Sequence, residues 1–523
     1  MDEMERAQKL EQFRAWVLGQ ENGACQMYEK AGSQSRKIVL EAEGCRGEVA
    51  FYPQEIVELC VISGAEDEHV FYLHFQMSSL DYAKERFQEM REAMDTLAVK
   101  QPVKVLLSCS CGMTTYYFVD KLNQTAKLLD LDYTFRAVSY TRLYSEGSQY
   151  DAIFLAPQVA YLCESVKKTL RHTCVQAIPP KLYASYDVRQ FYELLDHTLL
   201  RDRVARSLPK PAPSPLTCTC DLPCKVLTIA FIREGREKVR AAVRVYERDG
   251  RIVYDSRDVM KPRFTIDDLK DICDIAFALH PDIGSISITM PGLINEEGVS
   301  LKLFQMERTD VSGQLSAKYG VQVIMENDAN CIAIGYHASQ KRFQSLSVLF
   351  QPVIGQVGGI GSIHEGQLIK GLRNVAGEIQ YMPIIHDSIL NPLWGTPEGA
   401  RQLATQYLAS VVSILGPELI VLVGKLFWDT EKLREELVQI IPESYVPEIR
   451  HVDDIREYML LGATLAGTRA LEKERAEKSG MEKEQTAKDK VRKGRTEKSG
   501  VWKDETEEER VAGVTGRQEV YGK

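Results

Sequence analysis

The sequence predicts a multidomain α/β protein, on three observations. Short apolar strands alternate with helical periods over residues 103–200 and again over 225–471, the pattern of parallel sheets covered by helices on both faces. Between these stretches, residues 207–215 read Ser-Leu-Pro-Lys-Pro-Ala-Pro-Ser-Pro, an extended, semi-rigid spacer that marks a domain boundary. A length of 523 residues suits three or four domains of ordinary size, and an apolar fraction of 44% can supply each with a core.

Residues 4–18 read as a helix with Leu10, Phe13 and Val17 on one face. Strand composition follows at 48–52, 56–63 and 70–77, with the Glu66-Asp67-Glu68 cluster as a hairpin tip. Ser78 and Asp81 form a capping-box pattern ahead of a helix whose Leu80, Ala83, Phe87, Met90 and Met94 recur at helical spacing. Residues 1–100 thus predict a small α+β domain, to which the sequence attaches no chemistry. Over 101–200 the expected strands are 103–109, 133–138, 150–156 and 175–178, and the expected helices 115–129, 158–171 and 188–199. A linker occupies 201–224, and a second alternating domain runs from 225 to 471. The stretch 472–523 is dominated by Lys, Glu, Arg and Gly, with Glu-Lys-Ser-Gly at 477–480 repeated at 497–500. Too few apolar residues remain there to offset chain entropy, which predicts a disordered, charged tail.

The formal net charge of −9 leaves no overall basic footprint for nucleic acid, so no nucleic-acid partner is expected. The first 18 residues carry charges throughout and do not read as a secretory signal, and no apolar run reaches membrane-spanning length. The 12 cysteines lie scattered, mostly inside apolar segments, as reduced buried thiols do. These features predict a cytoplasmic location.

The candidate reactive group is Cys109. The run Val103-Lys104-Val105-Leu106-Leu107-Ser108-Cys109 is an apolar strand that stops at a thiol and passes through Ser110, Cys111, Gly112, Met113, Thr114 and Thr115 into a helix. A thiol beside backbone N–H groups has its thiolate stabilised and can hold a phosphoryl group, because a dianion wants several such donors and a helix N-terminus. A strand-end cysteine taken alone is more often a small buried hydrophobe, and it is the loop, the following helix and a second motif that point to a phosphate site. Together with Leu155-Ala156-Pro157-Gln158-Val159, the run resembles the enzyme IIB component of the lactose/cellobiose class of the sugar phosphotransferase system. That resemblance implies a four-stranded parallel sheet, Cys109 as the residue that accepts phosphate from a phosphohistidine protein of the IIA type and passes it to a sugar, and Ser110 to Thr115 as the loop whose amides surround the phosphate. Cys111 stands where the family usually has alanine, and Tyr116 where a small residue is common.

A second set of motifs lies beyond the spacer: Glu326-Asn327-Asp328-Ala329-Asn330 after an apolar strand, Gly355-Gln356-Val357-Gly358-Gly359-Ile360-Gly361, Ala376-Gly377-Glu378-Ile379, and Pro417-Glu418-Leu419-Ile420-Val421-Leu422-Val423-Gly424. In this order they resemble the ROK family of bacterial sugar kinases and related repressors, which implies an actin-like, hexokinase-type ATPase fold over 225–471. By the resemblance Asp328 is the general base for a sugar hydroxyl, while Asn327 and Glu378 hydrogen-bond other hydroxyls; a carboxylate near a hydroxyl raises its nucleophilicity. Read from the residues alone, Asp328 could equally cap the helix that follows it.

Several positions depart from the family. Its kinases open with Asp-x-Gly-Gly-Thr, but alignment on Val239 to Val243 places Arg233-Glu234-Gly235-Arg236-Glu237 there, so Arg233 replaces the acid and Glu237 the hydroxyl, where it would repel a triphosphate. Gln356 replaces a threonine in the second glycine loop. Gly377-Glu378-Ile379-Gln380-Tyr381 lacks the histidine of the family's zinc site, and Cys218, Cys220 and Cys224 have a spacing that fits no common metal site. No metal or cofactor is expected, and ATP with magnesium is doubtful.

The combined expectation is phosphocysteine-mediated phosphotransfer joined to a ROK-like, ATP-incompetent domain that binds a sugar or sugar phosphate. The alternatives are an ATP-dependent ROK sugar kinase and a non-catalytic sugar-sensing regulator. The resemblances further imply peripheral contact with a membrane sugar permease and a homodimer through the ROK-like domain.

Overall fold

The computed structural model describes residues 3–20, 25–31, 35–64, 69–98, 102–110, 113–129, 131–206, 214–234, 238–292, 294–295, 298–301, 306–340, 342–382 and 393–499. Four strands form a parallel sheet in the order Tyr133–Ser139, Val103–Cys109, Ala152–Leu155, Cys174–Ala177. Helices on both faces bury it, and every residue of Ala152–Leu155 is inaccessible, so the strands are apolar runs rather than alternating ones. Phe118, Phe135, Phe154 and Phe191 interlock there, with the Phe154 and Phe191 rings 4.8 Å apart; each contributes roughly 2–3 kcal/mol through burial. The expected helix over 158–171 is instead a 3-10 turn, Pro157–Leu162, followed by the helix Cys163–Thr169.

Beyond the spacer the chain builds two further sheets with one pairing pattern. In the first, Val259–Lys261, Lys238–Tyr246 and Lys225–Glu234 pair antiparallel, and Ile283–Met290 and Gln322–Asn327 add in parallel. In the second, Gln367–Leu368, Gly359–His364 and Leu346–Phe350 pair antiparallel, and Leu419–Val423 and Glu448–Val452 add in parallel. The helix Asp328–Ser339 leaves the end of the first sheet, and its Ile332, Ala333 and Tyr336 share a core with Leu346, Val348 and Phe350 of the second.

The first hundred residues, expected as a small domain of their own, are continuous with this half. Five strands, from Gln26–Ala31 to His69–Gln76, form an antiparallel meander whose last strand pairs with Val259–Lys261 through Tyr72 and Met260. The helices Glu3–Leu18 and Leu80–Ala98 cover one face, and Phe13, Phe51 and Phe87 belong to the same hydrophobic cluster as Leu227, Ile229 and Phe231. The hairpin tip expected at 66–68 lies outside the described residues.

The expected linker is structured at both ends. The helix Val188–Arg206 runs into it, and after the spacer Leu216 donates its N–H to Glu457 at 2.7 Å while Cys218 and Leu222 pack against Val226 and Tyr246. Glu457 in turn meets the fully buried Arg244, which also pairs with Asp255 at 2.7 Å. Nor are the two halves held by the spacer alone. Trp428 donates its indole N–H to the Thr169 hydroxyl at 3.2 Å, the Lys168 ammonium sits 4.6 Å from the Trp428 ring centre, and Arg171 pairs with Asp453 at 2.8 Å.

The last helix, Arg456–Ser499, continues through residues expected to be structureless. Its Lys473–Glu477 and Glu474–Lys478 pairs stand one turn apart in a run rich in Ala, Glu and Lys, which favours helix without a core. The rest of the expected tail, 500–523, lies outside the described residues. Among the described residues, no helix is long and apolar enough to cross a membrane.

Candidate functional site

The central strand Val103–Cys109 has its sequence neighbours on opposite sides: the chain moves to Tyr133–Ser139 on one flank and to Ala152–Leu155 on the other. Cys109, in register with Ser139, ends this strand at the point where the chain direction switches, the position at which open α/β sheets leave a crevice for ligands. Its side chain is buried and in no disulfide. Ser110 is exposed; Cys111 and Gly112 lie outside the described residues. The helix Met113–Leu128 opens with Met113, Thr114 and Thr115, whose amides belong to the first turn, which an α-helix leaves without partners of its own. The helix therefore starts four positions beyond the thiol.

One contributor was not legible in the sequence. Tyr183, on the helix Pro180–Ser185, places its hydroxyl 2.7 Å from that of the fully buried Thr115 and 3.3 Å from that of Thr114. Phe118 and Tyr186 hold the Tyr183 ring edge-on and tilted, respectively. Thr115 thus offers a phosphate its amide, while its hydroxyl anchors the helix start.

The second candidate lies where the two later sheets meet. Asn327 ends the strand Gln322–Asn327 and is itself the cap of the next helix: its Oδ1 accepts from the Ala329 N–H at 2.9 Å and the Asn330 N–H at 3.4 Å. Its Nδ2 donates to the Gly292 carbonyl at 3.0 Å. Asp328 is therefore not the cap, although its Oδ1 accepts from the Ala329 N–H at 2.8 Å. Burial pushes the Asp328 carboxyl up to about 7; the Ala329 N–H and the Arg233 guanidinium oppose the rise, and the Glu378 carboxylate adds to it. Glu378 is itself raised by burial and accepts from Gln380 at 3.0 Å. Asp328, Glu378 and Arg233 thus share one electrostatic neighbourhood.

Glu326 is a further buried acid that was not singled out in the sequence. It accepts from Asn330 at 3.0 Å and from the Asn327 N–H at 3.1 Å, and pairs with Lys370 at 2.5 Å. It braces the strand end from which Asn327 and Asp328 project. The glycine motifs have a packing reason: a Cβ on Gly361 would lie 2.3 Å from the Ala329 carbonyl oxygen, and one on Gly377 1.7 Å from that of Ile360. Gly377 also holds a φ of +88°, which side chains rarely adopt. Gly361 lets the second sheet approach the Asp328 helix, and Gly377 lets the Glu378 segment approach that sheet.

Glu237 falls outside the described residues, so its effect on a phosphate is not seen. Cys218 and Cys220 sulfurs stand 3.0 Å apart, whereas Cys224 turns to the Ser285 hydroxyl at 3.4 Å. Among the described residues, no three His, Cys, Asp or Glu side chains gather as a metal site requires; residues 383–392, which follow Tyr381, lie outside the described residues.

Comparison with known proteins gives two family matches. The model of the lactose/cellobiose-specific IIB subunit of the PTS system matches residues 104–193, and that of the ROK family matches residues 230–391. An N-acetyl-D-glucosamine kinase of Vibrio vulnificus is 28% identical over 134 residues, 24% of this chain and 44% of the relative. One from Erwinia tasmaniensis is 31% identical over 109 residues, 20% and 36% respectively. The chain spans less than half the length of these curated relatives. Among solved structures, a ROK hexokinase from Thermus thermophilus is 20% identical, with 48% of this chain and 99% of that one covered and a TM-score of 0.39. A lactose-specific IIB component from Streptococcus pneumoniae is 23% identical, with 18% and 96% covered and a TM-score of 0.17.

Proposed function

We propose that this chain, which carries a lactose/cellobiose-type IIB domain and a ROK domain, relays phosphate through Cys109 and couples that relay to sugar binding in the ROK half. The observation that carries the reading is the position of Cys109, at the switch point of a parallel sheet and four positions ahead of Met113, where the helix Met113–Leu128 begins. In the step proposed, the Cys109 thiolate attacks the phosphorus of a phosphohistidine on a IIA-type donor. The S–P bond forms as the P–N bond breaks, and the departing imidazole keeps the electron pair. The amides from Ser110 to Thr115 surround the dianion. A sugar hydroxyl could then take the phosphoryl group from sulfur, regenerating the thiolate.

In the ROK half, Asp328 and Glu378 would accept hydrogen bonds from sugar hydroxyls, and the second Nδ2 hydrogen of Asn327 remains to donate. We read this domain as an actin-like sugar binder that does not turn over ATP. Arg233, at the family's acid position, lies within electrostatic reach of Asp328 and cannot hold a magnesium ion. The protein would work in the cytoplasm, without metal or cofactor.

Intact-mass measurement after incubation with phosphoenolpyruvate, the general phosphotransfer proteins and a IIA donor tests the relay: one acid-labile phosphoryl group is expected. A coupled ATPase assay over a sugar panel tests the ROK half. Sugar-stimulated ATP hydrolysis that vanishes in Asp328→Ala would establish the kinase reading instead.

A further inference from the structure

The amino-terminal sheet has one face on its helices and one that is polar. Strand periodicity turns Val49, Phe51, Val57 and Leu59 into the core and Arg46, Glu48, Tyr52, Glu58 and Cys60 outward. On that outer face is a cavity of about 330 Å³, near the lower end of the range of small-molecule sites, and none of its lining residues belongs to the Cys109 or Asp328 sites. Its floor is set by register: Ala50, the small residue, lies between Lys37 and Glu58 on the neighbouring strands. Arg257, from the ROK half, reaches in from the rim.

The polar groups are held in place and unevenly paired. The Glu58 carboxylate accepts from the Tyr52 hydroxyl at 2.8 Å and from the Tyr72 hydroxyl. Glu48 alone serves two cations, Lys37 at 2.9 Å and Arg46 at 3.1 Å. Arg257 stacks over the Tyr72 ring at 5.2 Å and pairs with no carboxylate among the described residues. Among the described residues that line the cavity, three lysine and arginine cations thus face two carboxylates, one of them already held by two hydroxyls. An ordinary solvated sheet face pairs its charges locally. Here the guanidinium without an acid stands at the mouth of the cavity, and the Tyr52 phenol and the Glu58 carboxylate line it as hydroxyl partners, with the buried Tyr72 hydroxyl holding Glu58 in place.

We propose that this cavity is a binding site for a small phosphorylated polyol. A phosphate dianion would take Arg257 and the remaining N–H donors of Lys37 and Arg46, and the hydroxyls would exchange hydrogen bonds with Glu58 and Tyr52. The preset Tyr52–Glu58–Tyr72 cluster lowers the ordering cost of binding. The site is independent of the relay and of the sugar site, so its failure would leave both untouched.

The test uses the full chain carrying Cys109→Ser and Asp328→Ala, which silences the other two sites. Calorimetry with glucose 6-phosphate should show saturable binding, weakened at least tenfold by the exposed-residue change Arg257→Gln and several-fold by Glu58→Gln. Glucose should not bind measurably, and inorganic phosphate and gluconate should bind more weakly than the ester. Thermal unfolding verifies that each variant is folded. Absence of saturable ester binding, equal affinity in Arg257→Gln, or phosphate or gluconate binding as tightly as the ester would overturn the proposal.

Discussion

Cys109 and Asp328 both stand where a strand with parallel pairing gives way to a helix: Cys109 is the last residue of its strand, and Asp328 is the first residue of the helix that follows Gln322–Asn327. What precedes the helix differs. Before Asp328–Ser339 the protein supplies its own oxygens, since Asn327 Oδ1 and Asp328 Oδ1 both accept from the Ala329 N–H. Before Met113–Leu128 come a thiol, a hydroxyl, a second thiol and a glycine. A helix start already occupied by a carboxylate repels a phosphate, whereas one reached through a small-residue loop favours it. This difference supports the proposed division, with phosphate chemistry at the first site and neutral hydroxyl chemistry at the second.

The largest expected effect breaks this comparison outright if it fails. Cys109→Ser should remove phosphoryl transfer entirely, because the weakly acidic hydroxyl is a far poorer nucleophile than a thiolate. Asp328→Ala should retain the full stoichiometry of phosphoryl group by intact mass. Phosphate that persists in Cys109→Ser and disappears in Cys111→Ala would move the site by two residues.

The second effect sharpens the hydroxyl assignment. Burial holds the Asp328 carboxyl up to about 7, above its range in an unfolded chain. The unfolded state therefore loses that proton first, and the penalty to folding grows as pH rises from about 4 through 7. Asp328→Asn should accordingly stabilise the protein by roughly 2–4 kcal/mol at pH 8 and hardly at pH 4, read by thermal unfolding. The same change should weaken sugar binding by about ten- to a hundredfold, and wild-type affinity should rise through pH 7 as the carboxylate forms. An Asp328→Asn variant with no gain at pH 8 would mean that the carboxylate is solvated.

What the sequence revealed of this comparison depended on whether the cause was local. The strand that ends at Cys109 and the Asn-Asp pair after an apolar run are written in consecutive residues. Tyr183 touches Thr115 from 68 positions away, and no neighbouring residue marks it as a partner. Arg244 sits in the run Val-Arg-Ala-Ala-Val-Arg-Val-Tyr, whose alternation suggests an exposed face, yet it is fully buried because Glu457 arrives from 213 positions later. The strand Gln26–Ala31 is not legible because five of its six residues are exposed and Met27, Tyr28 and Ala31 do not alternate with Gln26, Glu29 and Lys30. The union of the amino-terminal meander with the ROK half includes the pairing of Tyr72 with Met260 and a shared core, neither of which periodicity encodes.

A third, smaller effect follows from that non-local contact. Tyr183→Phe keeps the ring among Phe118 and Tyr186 but removes the hydroxyl that meets Thr115. A buried hydrogen bond of this kind contributes about 1 kcal/mol, so phosphoryl transfer should slow by roughly fivefold while the sugar site is unaffected. A change in sugar affinity larger than the change in transfer would show that Tyr183 acts beyond the first helix turn.

The smallest effect concerns the junction of the two sites. The IIB half is joined covalently to the sheet that carries Asp328, through the helix Leu80–Ala98 on one side and the anchored Leu216 on the other, yet Trp428 and Asp453 bind it to the second sheet. The domain is therefore tied to both parts of the ROK half between which Asp328 lies, by the chain to the first and by side-chain contacts to the second. A phosphoryl group on Cys109 that shifts this contact must shift sugar affinity, and reciprocity requires sugar to shift the phosphorylation equilibrium by the same factor. We expect a factor of about two to five, below or at the lower end of common couplings. It should shrink toward one in Trp428→Ala, which removes the indole hydrogen bond to Thr169 and the face under Lys168. Calorimetry of sugar binding with and without the phosphoryl group, in both proteins, measures it. Equal affinities in the wild type for every sugar that binds would make the two sites independent, and an undiminished factor in Trp428→Ala would place the coupling along the covalent connections instead.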